Sequence, residues 1–160
     1  MIDFFFSLGF LKKVHRTGWI KRGKVFPTDT VAAHSFRVAI IAYYLAKEVG
    51  VDPRKAALGG LVHDLHEYLT GDLDPVMKRY LKEDKEAIIR DVGLEGELRE
   101  IWQAIYEKRD EDWVKVVKDA DILETIIEGV EQGVDREFLD RLEQRLYYPI
   151  SKRWAKEVRK

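Results

Sequence analysis

The chain reads as one all-α domain, a helical bundle of six or seven helices. Three observations predict it. Apolar residues recur at three- and four-residue spacing along most of the chain, no segment of any length alternates with period two, and Asp, Thr, Pro and Gly stand where helices start and stop. At 160 residues with 46% apolar content the chain has the size of one ordinary domain and enough material for a core. No internal repeat, low-complexity tract or interdomain linker divides it, so residues 1–160 are expected to form a single domain.

Ile2 to about Val14 forms the first helix, with Phe4, Phe5, Leu8 and Leu11 on a wide apolar stripe and Gly9 weakening its middle. His15 to Pro27 is a basic, glycine-containing connector. Asp29 and Thr30 are candidate N-caps for a long helix from Val31 to Val49, ended by Gly50. Val38, Ile41, Ala42 and Leu45 take its buried side. Asp52 and Pro53 open the next helix, which runs through residues 61–67 and stops near Thr70 and Gly71. The chain restarts near Pro75 and continues in charged, helix-forming sequence to about Asp91, where Gly93 and Gly96 break it. Leu98, Ile101, Trp102 and Ile105 mark a helix ending near Lys108, and Glu111 to Gly129 a largely buried one. Asp135 caps the last, in which Phe138, Leu142, Leu146, Ile150 and Trp154 recur every four residues and Pro149 introduces a kink.

Composition removes several function classes. A net charge of −1 gives no reason to expect a nucleic acid polymer or an acidic membrane as partner. No apolar run is long enough to span a bilayer, and the stretch Phe4 to Leu8 lacks the flanks of a signal peptide. The absence of cysteine suits a cytoplasmic protein and leaves only His and carboxylate to hold a metal. There is no asparagine, glutamine occurs only at 103, 132 and 144, and charged residues are abundant. That is the pattern reported for hyperthermophile proteins.

The chemistry concentrates in Leu61-Val62-His63-Asp64-Leu65-His66-Glu67. His63 and Glu67 are four apart and Asp64 and Glu67 three apart, so on one helix they share a face. Leu61, Val62, Leu65 and Leu69 cover the other flank and point that segment into a core. Ionisable groups at the edge of a buried helix are costly unless neutralised, which a divalent cation would do. His34 precedes His63 by 29 positions (63 − 34), room for a helix, a turn and an antiparallel return, so the two imidazoles can meet across adjacent helices. Asp121 lies in an otherwise apolar helix and needs a partner. A ligand role, a buried cap and a salt bridge to Lys118 all remain open for it, as does a carbonyl partner for His34.

His34, then His63-Asp64, then Asp121 resemble the H…HD…D pattern of the HD-domain metal-dependent phosphohydrolases. Arg16-Thr17-Gly18-Trp19, Ala33-His34-Ser35, His63 to Glu67, Thr70-Gly71-Asp72 and Lys118 to Asp121 are further similar to the 5′-deoxynucleotidase subgroup, over roughly residues 3 to 130. One departure is Ala33, where the subgroup often has Glu before the first metal histidine. The resemblance implies a single HD domain in which His34, His63, Asp64 and Asp121 bind one divalent ion. Mixed N/O ligation without sulfur favours Mn²⁺, Co²⁺, Fe²⁺ or Ni²⁺ over a closed zinc site. It implies Glu67 as catalytic acid/base, Asp72 near the attacked phosphate and sugar, Arg16 as phosphate clamp, and Trp19 as a wall for the sugar or base. Each has a plainer alternative: a surface ion pair for Glu67, an N-cap for Asp72, a core aromatic for Trp19. His66 lies about 200° around the helix from Asp64 and falls outside the ligand set; His15 has no assigned role.

The activity so implied is hydrolysis of deoxyribonucleoside 5′-monophosphates to deoxynucleoside and phosphate, tolerant of the base. The alternatives are the same chemistry on another nucleotide or a phosphodiester such as a cyclic nucleotide, and a non-catalytic metal-binding HD module. A small-molecule nucleotide is the expected substrate. A homodimer is expected too, through the Phe-rich first helix and the Tyr147-Tyr148 region.

Overall fold

A computed structural model of the protein describes residues 1–24 and 29–160. Among the described residues its regular secondary structure is helical, apart from one isolated antiparallel bridge between His15 and Thr30. The long helix α3 (Val31–Val49) is central. Thr30 caps its start by accepting from the Ala33 N–H at 3.2 Å, and Gly50 ends it in the left-handed region at φ +86°. Its side chains Val38, Ala42 and Leu45 are completely buried; Val38 and Leu45 each stabilise the fold by about 1.5–3 kcal/mol. Two helices cover it. One is α4 (Pro53–Val62), capped by Asp52 and started by Pro53. The other is α8 (Asp112–Glu131), whose Val116, Val117, Ala120, Leu123 and Ile126 have almost no exposed surface.

The remaining elements close around these three. A first helix α1 (Ile2–Leu8) gives way at Gly9 to a single 3₁₀ turn that packs on α3. The α-helix α7 (Gly96–Tyr106) rests on α4, and α9 (Arg136–Glu143) and α10 (Pro149–Val158) rest on α8. Three short helices lie between: α2 (Thr17–Lys21), α5 (Glu67–Thr70) and α6 (Lys85–Asp91). No helix of the described residues is long and apolar enough to cross a membrane.

Two adjacent glycines set how closely the three main helices approach. A Cβ on Gly60 would stand 2.8 Å from the Ala39 Cα and 2.9 Å from its backbone nitrogen, so α4 lies backbone against backbone on α3. A Cβ on Gly59 would meet Val117 at 2.9 Å and Ile105 at 3.0 Å, on α8 and α7. Neither site has room for any other residue.

The structure departs from the sequence expectations at several places, each with a physical reason. The heptad is not one helix: α4 ends at Val62 and residues 63–66 tighten into turns with i→i+3 bonds, such as Leu65 N–H to the Val62 carbonyl at 2.9 Å. The tighter pitch turns Leu61 and Leu69 outward, 51% and 45% exposed, while Val62 and Leu65 are buried. The connector after His15 contains α2; its expected end at Pro27 lies outside the described residues. The charged stretch after Pro75 is helical only in a 3₁₀ turn at Met77–Arg79 and then in α6. It has no apolar stripe to bury, and Tyr80 and Leu81 are left exposed. Pro149 begins a new helix instead of kinking an old one, because the buried Asp119 carboxylate accepts from the Tyr147 and Tyr148 backbone N–H groups at 2.8 and 3.0 Å. Among the described residues, ten α-helices thus replace the six or seven expected.

Gly60→Ala tests the helix spacing. Alanine gains about 1 kcal/mol in helix propensity, but a methyl group against fixed backbone is expected to cost more. The net expectation is a loss of about 1–3 kcal/mol, read from the midpoint of urea unfolding. An unchanged or raised midpoint would contradict the contact.

Candidate metal centre

The close packing of α3, α4 and α8 carries three segments of the sequence to one point. His34 lies in the first turn of α3, His63 and Asp64 follow the end of α4, and Asp121 projects from the middle of α8. The His34 and His63 ring centroids are 5.2 Å apart. Donor atoms of His34, His63 and Asp121 all lie within 4.8 Å of one another. Asp64 Oδ2 stands 3.0 Å from His63 Nε2 and 3.9 Å from His34 Nε2, and Asp121 Oδ1 is 3.3 Å from His34 Nε2. All four expected ligands therefore converge.

Each imidazole is fixed from its far side. His63 donates from Nδ1 to the Gly60 carbonyl at 2.7 Å, and His34 donates from Nδ1 to the buried Glu124 carboxylate. Both Nε2 atoms consequently face the shared space, and neither has a hydrogen-bond partner. A buried polar atom without a partner costs about 1–3 kcal/mol. Two of them aimed at one point between two carboxylates fit a divalent cation better than any arrangement of the protein alone.

Electrostatics support the same fit. Burial alone would raise the Asp64 and Asp121 carboxyls. His63 beside Asp64, and Lys118 with His34 beside Asp121, outweigh burial and hold both well below the usual carboxylate range. Burial and Arg16 press the His34 imidazolium downward, but the Asp121 and Glu124 carboxylates prevail and raise it to about 9. The ligand pair Asp64 and Asp121 is thus ionised at neutral pH, while His34 holds a proton that an ion must displace. The salt bridge considered for Asp121 is also present: Lys118 Nζ meets Oδ2 at 2.6 Å, leaving Oδ1 toward the imidazole. A second cluster, Asp29 and Glu124 with His34, lies within 4.8 Å on the other side of the ring. Glu124 there is already engaged by His34 and Arg37, and burial with Glu124 beside it pushes Asp29 up to about 6. That side reads as a hydrogen-bonding pocket.

The centre opens into a cavity of about 790 Å³ lined by Arg16, Trp19, Asp64, Glu67, Asp72 and Asp121, with Lys78, Arg79, Lys118 and Arg145 among further cations. In the tightened turn, residues three apart eclipse, which puts Asp64 and Glu67 on the cavity side together. Glu67 is buried, and its Oε2 has no partner. Burial, with Asp64 and Asp72 nearby, pushes its carboxyl up to about 10 against the opposing pull of Arg16 and Lys78. Arg16 is placed by backbone pairing, donating from its N–H to the Asp29 carbonyl at 2.9 Å while the Val31 N–H donates to the Val14 carbonyl. Its Nη1 is 4.0 Å from Glu124 and makes no hydrogen bond.

Asp72 and Trp19 each do structural work as well. The Asp72 carboxylate accepts from the Thr17 N–H and, at 2.8 Å, from its hydroxyl, so it caps α2 and not the helix that follows it. The next turn is held instead by Asp74, which accepts from Val76 and Met77 and pairs with Lys21 at 2.5 Å. Trp19 is 3% exposed and packs edge-on against Phe138, with its indole N–H unpartnered beside the cavity. His66 stays apart from the expected ligands, tilted against Trp102 and edge-on to Tyr106. Glu124, Arg37 and Lys118 were not singled out as site residues in the sequence. Nothing in local spacing marks Glu124 beyond its being three residues after Asp121 in an apolar helix.

The chain is similar to known proteins over most of its length. An HD domain family model matches residues 8–159. The chain is 30% identical to the 5′-deoxynucleotidase HDDC2 of Danio rerio, over 93% of this chain and 81% of that protein. It is equally identical to the 5′-deoxynucleotidase HDDC2 of Dictyostelium discoideum, over 98% and 95%. A conserved hypothetical protein from Pyrococcus furiosus superposes with a TM-score of 0.79 at 33% identity, covering 99% of both chains.

Proposed function

This chain belongs to the HD-domain family, and we propose that it is a metal-dependent phosphohydrolase that cleaves deoxyribonucleoside 5′-monophosphates to deoxynucleoside and phosphate. The observation that carries the reading is the pair of orphaned imidazole nitrogens beside Asp64 and Asp121, two carboxylates that line one cavity with Arg16 and with Glu67, whose carboxyl burial pushes up to about 10. A decayed, non-catalytic module would have no reason to keep all of these. The 5′-deoxynucleotidase relatives in an animal and in Dictyostelium support the substrate class.

His34, His63, Asp64 and Asp121 would hold the ion; Mn²⁺, Co²⁺, Fe²⁺ and Ni²⁺ suit their donor set. When bound, it supplies Lewis acidity toward a phosphoryl oxygen and toward an attacking water. Arg16 takes the phosphate dianion, to which a guanidinium offers paired donors that stay charged at any working pH. Asp64 and Asp121 remain ionised and confine the reacting centre, while the surrounding cations draw in an anionic substrate. Glu67 carries a proton at neutral pH and stands on the cavity side, which suits it to protonate the leaving 5′-oxygen. Asp72 and Trp19 line the same cavity, where they would border the sugar.

The protein acts as a homodimer in the cytoplasm on this reading. Phe36, Ile40, Tyr43 and Tyr44 recur along the outer face of α3, between 39% and 68% exposed, and Phe5, Phe6 and Phe10 are exposed on the N-terminal segment that packs on α3. Together they form an apolar surface of the kind that marks an interface. Of the Tyr147-Tyr148 pair only Tyr147 is open; Tyr148 bonds Asp112. Light scattering is expected to give twice 18.7 kDa, and a clean monomer would contradict the dimer.

The activity is tested by phosphate release from deoxyadenosine 5′-monophosphate beside adenosine 5′-monophosphate, after stripping metal and restoring Mn²⁺ or Co²⁺. Release is expected to need metal and to favour the deoxy substrate. Glu67→Ala is expected to lower kcat by about 10²–10⁴ with metal content unchanged. No release from either substrate with metal bound would overturn the substrate assignment, and an unimpaired Glu67→Ala would overturn the acid.

A further inference from the structure

The face between α3 and α8 holds an ion-pair ladder, buried at Glu124 and open to solvent at Glu131, that the proposed reaction does not use. Residues 121, 124, 128 and 131 are spaced three, four and three apart, one stripe of α8 turned toward α3. His34 and Arg37, three apart on α3, read that stripe. His34 presents Nε2 to Asp121 at 3.3 Å and Nδ1 to Glu124. Arg37 reaches Glu124 Oε1 at 2.9–3.0 Å, Glu128 at 2.6 Å and Glu131 at 2.8 Å. Glu124 is 1% exposed, and both its carboxylate oxygens are engaged, one by each of these α3 residues.

We propose that Glu124 is a positioning residue of the metal centre, and that Arg37 is the lock that keeps it in place. The proposal rests on the ion-binding reading above. An imidazole can present Nε2 to an ion only if Nδ1 carries the proton, and the ring must be held at a fixed angle about two side-chain bonds. For His63 a backbone carbonyl does this. The backbone offers His34 nothing equivalent, because the carbonyls around it are committed within the first turns of α3. A carboxylate from α8 takes that part. It arrives from the same helix, one turn from the ligand Asp121, so the element that supplies one ligand also orients another. Arg37 then fixes the register of the two helices, binding three successive carboxylates of the stripe through one planar group. Ala33, next to His34, is exposed and has no polar group to serve.

A purely structural role for the ladder makes a different forecast. If Glu124 only ties α3 to α8, its loss lowers stability and leaves the affinity of the folded protein for an ion unchanged. The experiment uses the full chain, stripped of metal, titrated with Co²⁺ by calorimetry, alongside thermal unfolding of the ion-free protein. Glu124→Gln keeps the shape and removes the charge. It is expected to weaken Co²⁺ binding about 10–100-fold, with kcat recovered when Co²⁺ is in excess. Glu124→Asp keeps the charge, withdrawn by one methylene, and is expected to bind with intermediate affinity. Arg37→Gln leaves Glu124 in place but unlocked and shifts affinity the same way by less; it decides the matter if Glu124→Gln does not fold. Co²⁺ binding within twofold of wild type in the folded variants would overturn the proposal. Wild-type protein that binds no Co²⁺ would overturn the ion site itself, a result distinguishable from the first.

Discussion

The approach of α4 to α3 at Gly60 is the constraint on which the rest depends. With a Cβ clearance of only 2.8 Å to Ala39, the two helices touch through their backbones, closer than side-chain packing allows. That proximity brings the end of α4 beside the first turn of α3, so His63 and His34 face each other. The same residue acts a second time, since its carbonyl takes the proton of His63 Nδ1 and frees Nε2. Gly59 does the equivalent on the opposite side, seating α4 against α7 and α8. The glycine pair sacrifices helix propensity, about 1 kcal/mol per residue, and obtains a geometry no larger residue permits.

Around that point the protein concentrates charge that it could not leave unbalanced. Asp64, Glu67, Asp72 and Asp121 line one cavity, and Glu124 lies buried just behind it. Several carboxylates so near one another cannot all ionise without compensation. The structure resolves this unequally. Asp64 and Asp121 lie beside cationic partners and stay ionised, whereas Glu67 has no direct partner and keeps its proton. Environment, and not residue type, separates the ionised carboxylates Asp64 and Asp121 from Glu67, a carboxyl of the same chemistry.

Much of this was legible in the chain. Long, strongly periodic segments such as Val31–Val49 declared their ends through Thr30 and Gly50, and the proposed ligand set was implied by the resemblance of His34, His63-Asp64 and Asp121 to the HD-domain pattern. Interruptions were harder to read. The break after Val62 depends on a tightened turn, the break before Pro149 on a carboxylate 28 positions earlier, and both are tertiary events invisible to local periodicity. Glu124 and Arg37 carry no local signal, because their partners lie about 90 residues away. Gly59-Gly60 reads as a weak spot in a helix until the neighbouring backbone is in view. Local pattern discloses what must be buried; it does not disclose against what.

The central claim is that α3, α4 and α8 converge to build one site for one divalent ion, with His34 as a ligand. Its most direct test is calorimetric titration of the metal-stripped protein with Mn²⁺ or Co²⁺ in buffers of different ionisation enthalpy. His34 carries its proton below about pH 9 when no ion is present, so an ion that takes Nε2 must release it. The account predicts one ion per chain, release of at least one proton near pH 7, and affinity that rises with pH and levels off above about 9. Binding that releases no proton and ignores pH across that range would contradict it.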